Sequence, residues 1–353
     1  MQSDSKKIKN GKHATTIYDV AQFAGVSAMT VSRVVNNSGR VSDKTRKKIS
    51  DAILELNYIP NMAARAARTG VQKIGVLFNN PKSSNLGGFL MGAFSAASKL
   101  GCELVIEPLS GHEEPLNALR ALIDKGVGGV ILPPPICDML EAHQLARKHS
   151  VIALSFASGN PKLHSPAVLI DDYSAASAMT HYLLELGHKD IAFVKGDEDH
   201  SPANSRLEGF MVAMSEAGLE VNNKLVFEGD FSYKSGLDAA HKLLEPGPSD
   251  IRPTAIFAAN DEMATAIVAV AHGLNIKIPE EISIVGFDDS PAATAIWPQL
   301  TTIYEPLEEM AFEAVQILDK LLREGDSISP GYNHYVAQFK LIERASSAHC
   351  LVK

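Results

Sequence analysis

A chain of 353 residues with 45% hydrophobic and 21% charged residues is too long for one typical core and reads as two or three globular domains. No apolar run approaches the ~20 residues of a membrane helix, and MQSDSKKIKNGKHATT has charge but no apolar stretch behind it, so neither a spanning segment nor a secretory signal is expected. The net charge of −8 hides an asymmetry: residues 1–70 carry 12 Lys and Arg against 5 Asp and Glu, a net of +7, which leaves −15 on the remainder. A basic head on an acidic body suits a head that meets phosphates and a body that discourages nonspecific contact with DNA. Cys102, Cys137 and Cys350 are odd in number and far apart, which favours inert thiols over disulfides or a metal site.

Residues 1–15, with Lys6, Lys7, Lys9 and Lys12, are expected to be a flexible basic arm. From 16 to 60, TIYDVAQFAGVSAMTVSRVVNNSGRVSDKTRKKISDAILELNYIP reads as three short helices. Thr16 is a candidate N-cap with Asp19 three residues on, close to a capping box. Ile17, Val20, Ala21 and Ala24 share one face, and Gly25 ends the helix because it adopts left-handed backbone without steric cost. Ser27 caps the second helix, with Val31, Val34 and Val35 inward. Asp43 caps the third, with Ile49, Ile53, Leu54 and Leu56 inward. Two helices across a tight glycine turn make a helix-turn-helix, whose second helix enters the major groove. Base-edge contacts then fall to Ser27, Ala28, Met29, Thr30 and Arg33; Arg33 could fork onto guanine or bind phosphate, and Ala28 and Met29 offer apolar contact to a thymine methyl. Ser32, Asn36, Thr45 and Arg46 are phosphate candidates that set register. Thr16 and Ile17 complete the DNA-binding set.

TIYDVAQFAGVSAMTVSRVVN, followed by VSDKTRKKI and LNYIPN, resembles the lactose-repressor (LacI/GalR) family of bacterial regulators, and the resemblance continues to near residue 345. Residues 61–71 resemble that family's hinge helix. Asn61 caps it after Pro60, an Ala-rich stretch favours helix, and so short a segment would order only with dimer and DNA present. Asn61, Met62, Ala63, Ala64 and Ala67 are the implied contacts. The family wedges a leucine into the minor groove where this chain has Ala67, so either the kink is weaker or Met62 contributes.

From 72 to 345, KIGVLF, ELVIEP, GGVILP, VIALSF, IAFVKG, LVFEGD, TAIFAA and ISIVGF alternate with helix-like stretches, the pattern of parallel sheets covered on both faces. The resemblance implies a type I periplasmic-binding-protein-like α/β body of two doubly wound subdomains, about 72–168 with 301–330 and about 169–300 with 331–345, followed by a tail at 346–353. Ligands in such sheets sit beyond the carboxyl ends of the strands. There Asn85, Leu86, Arg206, Phe231, Asn260, Asp288 and Glu305 match family ligand positions. Arg206 suits vicinal hydroxyls or a carboxylate, Phe231 a pyranose face, and Asp288 hydroxyl donors. Asn260 is balanced between cap and ligand contact, and Asp261 favours a helix cap. The carboxylate that the family often places after the fourth strand is absent from VIALSFASG. NSRLEGF, GDFSYKSG and IWPQLTTI resemble a branch regulating carbohydrate use in Gram-negative bacteria.

No phosphate loop, GxGxxG, GxSxG or HExxH occurs, so neither enzyme nor cofactor is expected. The pairs Asp171–Asp172 and Asp288–Asp289 read as capping or solvated carboxylates, and His112, His143, His149 and His188 as surface residues. The reading is a cytoplasmic homodimeric repressor of carbohydrate-utilisation genes, binding a palindromic operator and released by a sugar or glycoside. A corepressor-dependent repressor, or an activator answering a non-sugar metabolite, is the alternative. Dimer contacts fall around Leu86 to Leu100 and Glu113 to Lys125, and no heptad tail supports a tetramer.

Overall fold

The computed structural model describes residues 17–35, 41–56, 71–78, 85–109, 114–160, 165–245, 251–324 and 334–351. Thr16, Asn36 and the hinge positions Asn61, Met62, Ala63, Ala64 and Ala67 lie outside them.

The head holds α1 (Ile17–Ala24), α2 (Ala28–Val35) and α3 (Asp43–Glu55). Gly25 turns the chain at φ 64, and Val20, Ala21, Ala24, Val31, Ile49 and Ala52 form the small core. Ser27 Oγ accepts from Thr30 N at 3.2 Å, capping α2. The cap of α3 is Ser42, whose Oγ accepts from Thr45 N at 3.3 Å, and not Asp43. Asp43 stands one residue further in, where its charge favours the positive helix end. Leu54 is 76% exposed, not inward, because Ile49 and Ala52 with half-buried Ile53 and Leu56 already complete the apolar stripe.

The body is built on two parallel sheets. In the first, β1 (Lys73–Phe78), β2 (Glu103–Pro108), β3 (Gly129–Leu132), β4 (Ile152–Phe156) and β5 (Ala167–Ile170) lie in the order β2-β1-β3-β4-β5. In the second, β6 (Ile191–Val194), β7 (Val226–Phe227), β8 (Ala255–Ala258) and β9 (Ser283–Val285) lie in the order β7-β6-β8-β9. GVIL, IAFV and AIFA are buried at every position, as strands with helices on both faces must be. Between the sheets, β10 (Thr302–Tyr304) returns the chain from the second to the first. β11 (His334–Ala337) then pairs with β5, and β12 (Lys340–Ile342) pairs antiparallel with β10. The segment 331–345 was expected in the second subdomain; its strand His334–Ala337 instead forms the edge of the first sheet, in register with Ala167–Ile170.

Seven helices carry the cleft or the packing around it: α4 (Leu86–Leu100), α5 (Pro115–Asp124), α6 (Leu140–Lys148), α7 (Asp172–Glu185), α8 (Ser201–Glu216), α9 (Tyr233–Leu244) and α10 (Asp261–Gly273). Short α11 (Pro291–Ala295) follows β9, and α12 (Leu307–Glu324) packs on α4 and the first sheet. In the second subdomain, Phe193 stacks on Phe210 at 4.9 Å and meets Phe257 edge-on at 5.1 Å.

The segment after residue 345, expected as a tail, is part of the second subdomain. Ser346 is fully buried; its Oγ donates to the Ile284 carbonyl at 2.6 Å and accepts from Thr301 N at 2.8 Å. Further on, Cys350 N donates to the Leu186 carbonyl at 2.8 Å. His188 is buried, not superficial: Nε2 faces the Ala348 carbonyl at 3.1 Å, and Nδ1 the Thr254 hydroxyl at 3.0 Å. His143 is buried too, against the Cys137 carbonyl at 2.7 Å; His149 is exposed, and His112 lies outside the described residues. Replacing Ser346 by Ala strands a buried amide and a buried carbonyl, so urea unfolding should show a loss of about 1–3 kcal/mol. An unchanged midpoint would mean that Ser346 does not hold the segment after residue 345 in place.

Candidate functional site: a cleft at the strand ends

The carboxyl ends of both sheets face one cleft of about 340 Å³. Asn85, Leu86, Arg206, Phe231, Asn260, Asp288 and Glu305 all line it. Asn85 and Leu86 stand at the start of α4, Asn260 at the start of α10, Asp288 just beyond β9 and Glu305 just beyond β10.

Arg206 projects from α8 and is almost fully buried. Its guanidinium lies 3.5 Å from the Phe287 ring centre, a cation–π arrangement. Nε donates to Asp172 Oδ1 at 2.7 Å, and Nη1 to the Ala259 carbonyl at 2.7 Å. Asp288 Oδ1 is 3.6 Å from Nη1, and Glu305 Oε2 is 3.9 Å from Nη2. Asn85 Nδ2 donates to Asp288 Oδ2 at 2.9 Å, joining α4 of the first subdomain to the loop after β9.

Backbone geometry sets these groups in place. Asp288 and Asp289 have φ of 113 and 53, a left-handed turn that aims Asp288 into the cleft. Asp289 is held from behind by Arg344 Nη2 at 2.6 Å. Phe231, at φ 65, lays its ring against Gly196, where a Cβ would meet the ring at 2.0 Å, so only glycine admits that seat. Asn260 has both of the functions weighed for it: Oδ1 caps α10 by accepting from Met263 N at 2.9 Å, and Nδ2 donates to the Phe231 carbonyl at 2.9 Å while the residue lines the cleft. Asp261 is therefore not the cap. It braces the loop beneath the site, accepting from Ser290 N at 2.7 Å and Thr302 Oγ1 at 2.6 Å.

Sequence reasoning missed Asp172, which is neither capping nor solvated. Asp171 does the capping, accepting from Ser174 N at 2.9 Å, while Asp172 is buried against Arg206. Its signal was its place directly after the apolar run AVLI, a four-residue strand that went unread. Asp197, His200, Asp230, Glu262 and the apolar walls Phe78, Phe89 and Phe156 also line the cleft and were not anticipated.

Burial governs the charges. It pushes Glu305 up to about 8 and Asp288 up to about 6, against the pull of Arg206 on both and of the Asn85 hydrogen bond on Asp288. Burial also raises Asp261 to about 8, with Asp288 adding like-charge repulsion, and raises Asp172 even against Arg206. For Arg206 burial works against the charged form, but Asp172, Asp288 and Glu305 outweigh it and leave the pKa above its ordinary value.

On the head, α2 turns Met29 outward at 66% exposure; Ser27 and Arg33 are exposed, and Ala28, Thr30 and Ser32 are half-buried. Thr45 and Arg46 lie half-buried in the first turn of α3, and Ile17 opens α1.

Residues 16–61 match the bacterial regulatory proteins of the lacI family, and residues 180–347 match the periplasmic binding protein-like domain. The HTH-type transcriptional regulator DegA of Bacillus subtilis (strain 168) is 38% identical over 307 residues, 85% of this chain and 89% of DegA. The chain belongs to the LacI family. It is a DNA-binding transcriptional regulator and not an enzyme. The solved complex of the transcriptional regulator CelR with cellobiose superposes with a TM-score of 0.71 at 29% identity, covering 94% of this chain and 100% of CelR. The lac repressor dimer bound to operator and the anti-inducer ONPF superposes with a TM-score of 0.69 at 28% identity, covering 95% of this chain and 100% of that one. Among the described residues of this LacI-family chain, no helix is long and apolar enough to cross a membrane.

The raised carboxyls of the cleft give a pH signature. A carboxyl whose pKa is higher folded than unfolded binds its proton more tightly in the native state. Its contribution is complete below the unfolded value of about 4 and is lost as pH rises through the folded values of about 6 and 8. The ligand-free protein should therefore lose stability between pH 5 and 8, and Glu305→Gln should remove at least about 1 kcal/mol of that slope. Parallel stability–pH curves for the two proteins would refute the assignment.

Proposed function

We propose that this regulator is a homodimeric repressor of carbohydrate-utilisation genes whose operator affinity is set by a sugar or glycoside bound in the cleft. The carrying observation is the unspent hydrogen-bonding capacity around Arg206. Two of its nitrogens are satisfied by Asp172 and Ala259, while Nη2 makes no hydrogen bond among the described residues and faces Glu305 across 3.9 Å. A ligand hydroxyl placed there accepts from the guanidinium and donates to an oxygen of the Glu305 carboxyl, the dual character that vicinal hydroxyls supply. Phe231 offers the flat apolar face that a pyranose ring stacks on. The complex of CelR with cellobiose supports the same ligand class.

On the DNA side, Ser27, Ala28, Met29, Thr30 and Arg33 would read bases, with Thr16, Ile17, Ser32, Asn36, Thr45 and Arg46 on or near the backbone and Asn61, Met62, Ala63, Ala64 and Ala67 at the hinge. Two copies present two recognition helices to a palindromic site, and exposed Met91 and Phe94 on α4 offer the first subdomain an apolar face for that pairing. Ligand and operator are then linked reciprocally: whatever factor the sugar takes from DNA affinity, DNA takes from sugar affinity.

Thermal melting against mono- and disaccharides tests the cleft, because a ligand that binds only the folded state raises its stability by about 2.7 kcal/mol at a hundred times its dissociation constant. One sugar should raise the midpoint in the wild type and fail in Arg206→Ala. A shift that survives the substitution places the ligand elsewhere. On a selected operator, Arg33→Ala should cost about 1–3 kcal/mol and relax base preference at one position. A uniform loss across sequences would make Arg33 a phosphate contact.

A further inference from the structure

We infer that the cleft sorts ligands by charge, admitting neutral and amine-bearing sugars and refusing their phosphorylated and carboxylated forms. This rests on the polyol reading above and narrows its ligand class. Six carboxylates line the cleft, namely Asp172, Asp197, Asp230, Glu262, Asp288 and Glu305, and Arg206 is the one guanidinium among the described lining residues, which include no lysine. The strongest hydrogen bonds of that guanidinium go to Asp172 and a backbone carbonyl, so its charge is already matched. His200 Nδ1, the other basic group of the wall, lies 3.5 Å from Asp197.

Glu305 adds its charge to the count above about pH 8, the value to which burial raises it. It is only 6% exposed, its carboxylate makes no hydrogen bond among the described residues, and the nearest cation is 3.9 Å away. It lines the cleft together with Leu307 and Phe89. Its one ion pair among the described residues, with Arg206, leaves room on the carboxyl for a ligand donor. A hydroxyl brings one and an ammonium brings three, whereas a phosphate or second carboxylate brings acceptors and like charge. The walls Phe78, Phe89, Phe156 and Phe231 keep the local dielectric low, so repulsion between an anionic ligand and this ring is screened far less than it would be in water.

The field can be read without knowing the ligand. Trp297 is the single tryptophan and is 76% exposed, so a Trp297→Phe background carrying Phe231→Trp places one fluorophore on the cleft wall. Leu86→Trp serves if the first reporter does not fold. Quenching by iodide and by caesium is measured at pH 9, where Glu305 and Asp288 are both ionised, and at fixed ionic strength, each slope normalised to that of wild-type Trp297. The normalised iodide slope should fall at least about threefold below that of caesium, and Glu305→Gln with Asp288→Asn should close most of the gap. Equal or stronger quenching by iodide overturns the inference. In parallel, the thermal midpoint of the full-length protein is followed with glucosamine, glucose, glucose 6-phosphate and glucuronate. A rise with glucose or glucosamine and none with the two anions agrees with the inference; an equal rise with either anion overturns it. Charge-selective quenching with no sugar raising the midpoint leaves the charge selection standing and removes the polyol reading instead.

Discussion

Arg206 sits with its guanidinium on the Phe287 ring and its donors turned on Asp172 and the Ala259 carbonyl, and much of the cleft is arranged around keeping that cation out of water. A buried charge without a partner costs several kcal/mol, so the residues that hold it are fixed by necessity. Asp172 opens α7 directly after β5, Ala259 ends β8, Asp288 follows β9 and Glu305 follows β10. Four separate stretches of chain must arrive together for one side chain to be tolerated. The same convergence overshoots: three carboxylates surround a single positive charge, and burial answers the surplus by raising their pKa values.

Much of this was legible in the residues because strand ends leave local marks. IAFVKG, TAIFAA and ISIVGF are buried on both faces and read as apolar runs, so the polar residues that follow them, Asn260 and Asp288, announced themselves, as did Arg206 in the helix beyond IAFVKG. The head was legible for a related reason, since Gly25 and Ser27 break and restart the helix within three residues. What stayed hidden has no local mark. TIY and KLI are three-residue strands that exist only because they pair with each other across the chain. AVLI was unread for its brevity, and with it went both Asp172 and the place of His334–Ala337 at the sheet edge. Leu54 is the converse case: its apolar side chain predicts an inward place, but Ala52 holds that face and Leu54 points outward. His143 and His188 look like surface residues in any composition argument, and only the carbonyls of Cys137 and Ala348 make them interior.

Specific hydrogen bonds join the two subdomains across the cleft. Asn85 Nδ2 reaches Asp288 Oδ2 at 2.9 Å on one side, and Gly159 N reaches Ser201 Oγ at 2.8 Å on the other. Gly159 approaches so closely that an added Cβ would meet the Ser201 backbone at 2.7 Å, so the contact depends on glycine. Each such bond contributes on the order of 1 kcal/mol, comparable to what one ligand hydroxyl offers. Asp288 is the shared element, since it accepts from Asn85, balances Arg206 and lines the cleft. A ligand that donates hydrogen bonds to Asp288 therefore competes with, or extends, the bond that joins the subdomains. That is the physical requirement for linkage: a ligand moves an equilibrium only through groups whose energy differs between the two arrangements, and here one carboxylate belongs both to the binding surface and to the closure.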